Sequence, residues 1–298
     1  MNIQPLNPAG IKLNLAGIKR GNKFSPNHTG NDAAIFEMTT HKLRQKGCSV
    51  TEYTELEFQE NEIPHTKIFG MARDKQTVAK LKELEKKGAI CVNSGEGIEN
   101  CFRNNMTNLL LKKGIPYPKS EIVSTKKEAT DVFSRLGSDK LWIKRGDFHA
   151  IHKEDVSFCS SIEEGNYLLR EFAQRGIESA TVSIHLVGDL VKFYGVRNTD
   201  FFHWFYPYDF GHSKFGNELI NGEIKKYPFR EEMLISIGNK AAETLGIYIY
   251  GGDAIVSPDG LIRIVDLNDW PSFAPCREEA SEAIAQCIYD LFSKTEKN

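Results

Sequence analysis

The chain has 298 residues, of which 40% are hydrophobic and 26% charged, and its formal net charge is −2. This length and composition are typical of a globular protein with two or three subdomains, and the balanced charge gives no indication of a nucleic-acid partner. No apolar run reaches membrane-spanning length, and the N-terminus lacks the features of a signal peptide, so no membrane association is expected. The six cysteines are scattered without a CxxC pair, which predicts free buried thiols and a cytoplasmic protein.

Strand and helix signals alternate over the first third of the chain. Apolar, β-branched runs predict strands, and charged amphipathic runs that end at a glycine predict helices. The predicted strands cover 11–18, 48–53, 67–72 and 89–93, and the predicted helices cover 31–46 and 74–87. This alternation predicts a small open parallel sheet in an N-terminal domain of residues 1–95.

The stretch GEGIEN at 95–100 lies between a predicted strand and a predicted helix, where a dinucleotide-binding turn would lie. Its last position is Asn100 instead of glycine, so the fingerprint is incomplete, and a flexible beginning of the helix is the preferred interpretation. That helix is expected to run from Gly97 to Lys113, where GIPYP ends it. The chain has no Walker-type phosphate loop, no HExxH and no GxSxG.

The rest of the chain is expected to form a central domain (96–180) and a C-terminal domain (181–298), each mixing helices with antiparallel strands. The alternating stretch 179–198 predicts two antiparallel strands that turn at 187–189. Further strands are predicted at 121–124 and 140–145, and helices at 126–136, 162–171, 230–245 and 277–292. The fold class is therefore α/β (α+β).

The stretch GGDAIVSPDGLIRIVDLNDWPSF, from Gly251 to Phe273, carries acids inside two apolar strands. The turn signal SPDG predicts a hairpin that brings Asp253 and Asp266 together at the end away from the turn, with Asn268 on the same face as Asp266. Two carboxylates and an amide oxygen suit a hard cation such as Mg²⁺, whose shell substrate phosphates can complete. An exposed polar loop and a structural salt bridge are the alternatives.

At this point the sequence resembles the ATP-grasp superfamily, and the resemblance covers nearly the whole chain. In that family an acid, a gap and then Glu/Asp-x-Asn form a site for two Mg²⁺ ions, which corresponds here to Asp253, Asp266 and Asn268, followed by Pro271. RNNMTNLLLKKGIPYP at 103–118 is similar to the beginning of the family's central domain. The resemblance implies an ATP-grasp fold with ATP and two Mg²⁺ as cofactors, for which Mn²⁺ can substitute.

The resemblance also implies contacts with each part of ATP. Arg103 stands where a phosphate-contacting lysine is usual, Lys144 in LWIKRGD matches the second phosphate lysine, and Arg197 matches a basic residue that faces the reacting phosphate. In LLREFAQRGIES, the segment Glu171-Phe172-Ala173 matches the backbone that reads the adenine edge. Glu178 matches the acid that bonds the ribose hydroxyls. Cations of this kind are what phosphoryl transfer requires electrostatically.

Three departures from the family pattern bear on the reaction. Asp266 stands where peptide-bond-forming members usually have glutamate, and Gly251 stands where D-alanine ligases have a substrate arginine, so a D-alanine ligase is not expected. The segment RGDFHAIHKEDV (145–156) replaces the glycine-rich phosphate loop with one glycine and two histidines. Its position suggests a mobile lid, with Arg145 and His149 or His152 reaching the terminal phosphate or the acceptor.

The resemblance implies an ATP-dependent ligase that joins a carboxylate to an amine or thiol through an acylphosphate. A kinase similar to the inositol-phosphate kinases of the same fold is the alternative, because Asp266-Leu267-Asn268 and a nearby histidine resemble them. A nucleotide-binding protein without catalysis is the second alternative, against which the intact metal triad argues.

The acceptor is expected to be a small molecule or peptide. A polar loop after the first strand (19–32) is a candidate to bind it. Arg20, Lys23 and His28 in this loop could hold an anionic acceptor, although an ordinary surface loop explains them equally well. The aromatic segment 201–210 could form a wall of the site, and core packing is its alternative explanation.

Overall fold

The structure is a computed structural model that describes residues 13–24, 29–207, 220 and 222–294. The chain divides into two compact units. The first comprises 1–95, 196–201 and 272–298, and the second comprises 96–195 and 202–271. The division into three domains at residues 95 and 180 stays a prediction.

The first unit contains a four-stranded parallel sheet with the strand order β2-β1-β3-β4. Its strands are β1 (Asn14–Ile18), β2 (Ser49–Tyr53), β3 (Lys67–Gly70) and β4 (Ile90–Val92). Its helices are α1 (Thr29–Gln45), α2 (Glu55–Glu60), α3 (Lys75–Lys86) and, from the last part of the chain, α9 (Arg277–Lys294). The predicted parallel sheet is confirmed.

The second unit contains two four-stranded sheets. The central sheet is antiparallel with the order β5-β8-β6-β7, and the C-terminal sheet has the order β10-β9-β11-β12. The strands are β5 (Ser120–Ser124), β6 (Leu141–Arg145), β7 (Val156–Cys159), β8 (Ser179–Ile184), β9 (Asp189–Val196), β10 (Phe202–Phe205), β11 (Ile249–Val256) and β12 (Ile262–Asp269). The helices among them are α4 (Gly95–Asn100), α5 (Arg103–Lys112), α6 (Thr130–Leu136), α7 (Ile162–Gln174) and α8 (Glu231–Leu245).

One face of the central sheet packs into a hydrophobic core, and the opposite face carries Trp142 and Lys144. Phe133 of α6 and Phe172 of α7 pack with Ile143 of β6 in this core. Because side chains alternate along a strand, Trp142 and Lys144 of the same strand lie on the opposite face. The two helices therefore determine which face of the sheet remains for a ligand.

The prediction that 179–198 forms a hairpin is wrong. Both strands exist, but β8 pairs with β5 and β6, whereas β9 pairs with β10 and belongs to the C-terminal sheet. Gly188, at φ 153°, lies so close to Val256 that a Cβ atom would come within 2.3 Å of the Val256 carbonyl oxygen. The connection at 185–188 therefore carries the chain from one sheet to the other.

Another predicted element is also corrected, and one strand was not predicted. The single helix expected from Gly97 to Lys113 is broken, because Phe102 has extended backbone angles (φ −65°, ψ 137°) between α4 and α5. Its ring packs against Phe148, with centroids 4.8 Å apart, which a continuous helix would not allow. Strand β7 was not predicted, because it has only four residues and follows a polar segment.

Two further sequence expectations concern the cysteines and the membrane. All six cysteines are buried and free, as the scattered positions predicted. In the described part of the chain, no helix is both long enough and apolar enough to cross a membrane.

Candidate active site

The β11–β12 hairpin brings the three predicted metal ligands together. Asp253 lies directly opposite Asp266, and Gly251 lies opposite Asn268. Residues two positions apart share a sheet face, so both carboxylates and the Asn268 amide stand on one face. A β-bulge directly after Asp253 shifts the register, and beyond it the two strands pair again, beginning with Ala254 opposite Ile264. The hairpin geometry predicted from SPDG is confirmed.

Arg103 holds Asp266 in a two-point ion pair. Nη1 donates to Oδ1 at 2.9 Å and Nη2 donates to Oδ2 at 3.2 Å, while the Arg103 side chain is only 5% exposed. Burial alone would raise the pKa of Asp266, but the positive charges of Arg103 and Lys144 hold it well below its usual range. The guanidinium that was expected to contact a phosphate is thus engaged with an acid of the metal triad.

Lys144 is buried on β6 and donates from Nζ to the Val265 carbonyl oxygen at 3.2 Å. Burial and the nearby charge of Arg103 lower the pKa of Lys144 to about 7, against the opposing pull of Asp266 and Asp253. Among the residues that the structure describes, no carboxylate lies within ion-pair distance of this ammonium group. Such a buried cation is stabilised by an incoming anion.

Lys192 of β9 adds a third cation, which sequence reasoning missed. Its Nζ lies 3.1 and 3.3 Å from the two carboxylate oxygens of Asp253. The alternation of polar and apolar residues along 189–196 was the available signal, because it puts Lys192 on the polar face of its strand. Its acidic partner follows only from the pairing of β9 with β11.

His149 lies beside Asn268. Its Nδ1 is 3.0 Å from Asn268 Oδ1, and its Nε2 is 3.3 Å from Asp269 Oδ1. Both the histidine and Asp269 are buried. The expectation that His149 reaches a phosphate or an acceptor is therefore disfavoured, since its two ring nitrogens face oxygen atoms of β12.

The donor set fits a hard divalent cation. The atoms of Asp253, Asp266 and Asn268 that can bind a cation are all oxygens, which is what Mg²⁺ prefers, and the two acids face one another on neighbouring strands. The described residues contain no group of three or more His, Cys, Asp or Glu side chains that could hold a metal ion. The third protein ligand of such a site would thus be the amide.

The segment 145–156 is anchored to the rest of the second unit. Asp155 is fully buried and accepts hydrogen bonds from the backbone N–H groups of Ile151 and His152, and from Arg175. Arg145 makes a two-point ion pair with Asp147, at 2.7 and 3.1 Å. His152 is exposed and caps a short 3-10 turn. This packing argues against a freely mobile lid.

The residues expected to read adenine lie in a helix. The carbonyl groups of Glu171, Phe172 and Ala173 accept hydrogen bonds from the N–H groups that follow the end of α7, and the Phe172 ring is buried in the core. Their backbone is therefore already engaged, which disfavours the adenine-reading role. The helix, expected to stop at Glu171, continues to Gln174. Glu178 is exposed just before β8 and pairs with Lys126 at 2.9 Å.

Aromatic residues share the free face of the central sheet with Lys144. Trp142 lies two residues before Lys144, and its Nε1 donates to His185 Nδ1 at 3.2 Å. Phe158 packs edge-on against both Trp142 and His185, with centroid distances of 5.4 Å in each case. The signal for Trp142 was available in LWIKR, because alternation puts it on the same face as the lysine.

The remaining candidates lie in the first unit. The Arg20 side chain is 5% exposed, donates to the Met71 carbonyl oxygen at 3.3 Å and pairs with Asp32 at 3.4 Å. Lys23 is exposed and pairs with Asp74 at 2.6 Å. Arg197 accepts a hydrogen bond from the Cys287 thiol through its backbone carbonyl. His28 lies outside the described residues.

Comparisons with known proteins find a relative of low sequence identity and a clear structural likeness. No protein-family model matches the chain. The chain is 22% identical over 301 residues to a probable alpha-L-glutamate ligase of Vibrio atlanticus (strain LGP32), and the alignment covers 96% of this chain and 91% of that protein.

Two solved structures illustrate the likeness. The D-alanine–D-alanine ligase of Bacillus anthracis, determined in complex with ATP, matches with a TM-score of 0.67 at 12% identity, covering 96% of this chain and all of that one. The ATP-grasp RimK domain protein of Sphaerobacter thermophilus matches with a TM-score of 0.65 at 12% identity, covering 92% and 98%. The chain therefore has the ATP-grasp fold, as its sequence motifs indicated.

Proposed function

We propose that the protein is an ATP- and Mg²⁺-dependent ligase that joins a carboxylate to an amine or a thiol. The carboxylate attacks the γ-phosphorus of ATP, which releases ADP and forms an acylphosphate. The amine or thiol then attacks the acyl carbon and displaces inorganic phosphate. The names of the relatives support this class: the Vibrio protein is described as a probable alpha-L-glutamate ligase, and the Bacillus enzyme is a D-alanine–D-alanine ligase.

The observation that carries the proposal is the buried Lys144 near two opposed acids. An ammonium group with a pKa lowered to about 7 by burial is a ready partner for a polyphosphate. Asp253, Asp266 and Asn268 would hold the metal, which when bound neutralises charge on the transferring phosphoryl group. Arg103 would then act mainly by holding Asp266 in place, and Lys192 by holding Asp253.

The nucleobase would lie against Trp142, beside the connection at 185–188. Leu141 pairs with Ile184, so this connection begins about 10 Å along the strand from Lys144. The connection has no regular secondary structure, and its first N–H, that of His185, donates to the Lys140 carbonyl oxygen. The backbone groups after His185 are therefore the candidates to read a base edge, in contrast to the helical Glu171–Ala173 segment. Glu178 remains a candidate for the ribose hydroxyls, and Arg197 for the reacting phosphate.

A kinase is the second candidate. The aspartate at position 266 with Asn268 two residues later favours it. The neighbouring histidine gives it less support than the sequence suggested, because His149 faces Asn268 and Asp269.

Turnover of ATP with pooled carboxylate, amine and thiol compounds separates these functions. Free phosphate with a condensed product identifies a ligase, and ADP with a product heavier by one phosphoryl group identifies a kinase. Asp253→Asn should lower the turnover by about 100-fold or more, because it removes a charge from the metal site. Asp259→Asn, in the exposed hairpin turn, is the matched control and should leave the rate unchanged. Equal rates for these two variants would contradict the metal assignment.

A further inference from the structure

We infer that His149 is a positioning residue that fixes the Asn268 amide as the third metal ligand. The inference rests on the proposed metal site of the previous section. It assigns His149 a role through Asn268 and not through contact with the phosphates or the acceptor.

The three side chains form a short chain of polar contacts. His149 Nδ1 lies 3.0 Å from Asn268 Oδ1, and Nε2 lies 3.3 Å from Asp269 Oδ1. The His149 side chain is 5% exposed and that of Asp269 is 1% exposed. The contact between His149 Nδ1 and Asn268 Oδ1 has hydrogen-bond geometry, whereas the contact with Asp269 is within ion-pair distance. A hydrogen bond at this depth is costly to leave unmade, so the geometry of His149 and Asn268 is strongly constrained.

Two aromatic rings hold the imidazole in this orientation. Phe102 and Phe148 each meet it edge-on, with centroid distances of 5.5 and 5.6 Å, and they also pack on each other. Phe102 owes its position to the break between α4 and α5. The same break sets the beginning of α5 at Arg103, which holds Asp266. One irregularity of the backbone thus supports two of the proposed ligands.

An asparagine ligand needs such support more than a carboxylate does. A carboxylate offers two equivalent oxygen atoms, whereas an amide offers one oxygen and one NH₂ group that cannot bind a cation. Because the terminal torsion of asparagine is broad, nothing intrinsic selects the oxygen. An N–H donor on His149 selects it and leaves the second lone pair of Oδ1 for the metal. Outer partners of this kind commonly change metal affinity by about 10- to 100-fold.

The neighbouring strand provides no alternative support. The residue opposite Asn268 on β11 is Gly251, which has no side chain. The His149 side chain reaches Asn268 across 119 positions of the sequence and supplies the contact that a cross-strand partner would otherwise make.

The test is a double-mutant cycle on Mn²⁺ binding to the protein–ADP complex, measured by electron paramagnetic resonance. This measurement needs no turnover, so it is separable from the proposed reaction. His149→Phe and Asn268→Ala should each weaken Mn²⁺ binding by about 10- to 100-fold, and the double variant should bind it no more weakly than Asn268→Ala alone. ADP affinity without metal should not change in His149→Phe.

His149→Gln, which restores an N–H donor, should recover most of the Mn²⁺ affinity, and it provides the comparison if His149→Phe folds poorly. His41→Phe, on the exposed face of α1, is the control for histidine replacement. Fully additive losses in the cycle, or loss of metal-free ADP affinity in His149→Phe, would overturn the inference in favour of a direct phosphate contact. Absence of Mn²⁺ binding by the wild type would overturn it together with the metal site. Normal Mn²⁺ behaviour without ATP-driven condensation would instead contradict only the ligase reaction.

Discussion

Arg103 and Asp266 form a partly buried two-point ion pair, with N–O distances of 2.9 and 3.2 Å, across 163 positions of the sequence. The pair joins the first residue of α5 to a strand of the C-terminal sheet. It keeps charged a carboxylate that faces a second carboxylate, Asp253. Without a bound metal, cationic side chains of the protein have to balance the negative charge of these two carboxylates.

Replacing Arg103 by leucine should therefore destabilise the metal-free protein by about 3 kcal/mol, because it leaves a partly buried charge without its partner. Mg²⁺ with ADP should restore part of this loss, since the metal supplies the missing positive charge. Urea unfolding with and without Mg²⁺-ADP measures both effects. Arg135→Leu, which removes an exposed ion pair with Glu121, is the control and should change little. Equal free energies of unfolding for the two variants would show that the ion pair of Arg103 with Asp266 does not stabilise the metal-free protein.

Asp266 also predicts how this stability depends on pH. Its pKa is lower in the folded protein than in the unfolded chain, so its contribution is present above the ordinary aspartate pKa, about 3.9, and is lost as the pH falls through the lower, folded-state value. Between pH 5 and the onset of acid unfolding, the wild type should lose stability more steeply than Asp266→Asn. Parallel curves for the two proteins would contradict the assigned direction.

The sequence predicted local features well and long-range pairings poorly. The β11–β12 hairpin followed from SPDG because its two strands are adjacent in the chain. The partner of β9 could not be predicted, since alternation gives the polar face of a strand but not the sheet to which it belongs. The same limit hid the contacts of Arg103 and His149, whose partners lie more than a hundred positions away.

The site at Lys144 should take up a proton when it binds a polyphosphate. In the free protein its pKa is about 7, so at pH 8 most molecules carry a neutral Lys144, whereas a bound phosphate favours the ammonium form. Calorimetry of ADP binding at pH 8 in buffers of different ionisation enthalpy should report uptake of close to one proton, and near pH 6 almost none. The affinity for ADP should fall as the pH rises above 7.

Lys144→Met should abolish this proton uptake, and Lys140→Met, at an exposed position before the same strand, should preserve it. Uptake that persists in Lys144→Met would assign the proton to another group. Uptake that is absent from the wild type would mean that Lys144 does not meet the phosphates.

Gly251 should tolerate no side chain. A Cβ atom there would lie 2.6 Å from the Tyr194 ring and 2.7 Å from the Pro271 ring. Gly251→Ala is therefore expected to lower the free energy of unfolding by about 1–3 kcal/mol through overpacking. The control is Gly30→Ala in α1, where a Cβ would meet no atom within 4 Å, so this variant should not lose stability. Thermal or urea unfolding of both variants measures these changes. An unchanged free energy of unfolding in Gly251→Ala would show that Tyr194 moves aside easily.

Asp155 should determine whether the segment 145–156 is open to proteases. Its buried carboxylate accepts hydrogen bonds from two backbone N–H groups of the segment and from the Arg175 guanidinium. Burial alone would raise the pKa of Asp155, but these partners keep it below the ordinary value. Because that carboxylate is charged at neutral pH, we expect the wild type to resist cleavage within 145–156, with or without a non-hydrolysable ATP analogue. Asp155→Ala should be cut there at least tenfold faster while the global unfolding midpoint changes less, since local opening needs only the loss of these contacts. Glu154→Ala, an exposed neighbour, should be cut like the wild type. Rapid cleavage of the wild type that the ATP analogue suppresses would instead support the hypothesis that 145–156 is a mobile lid.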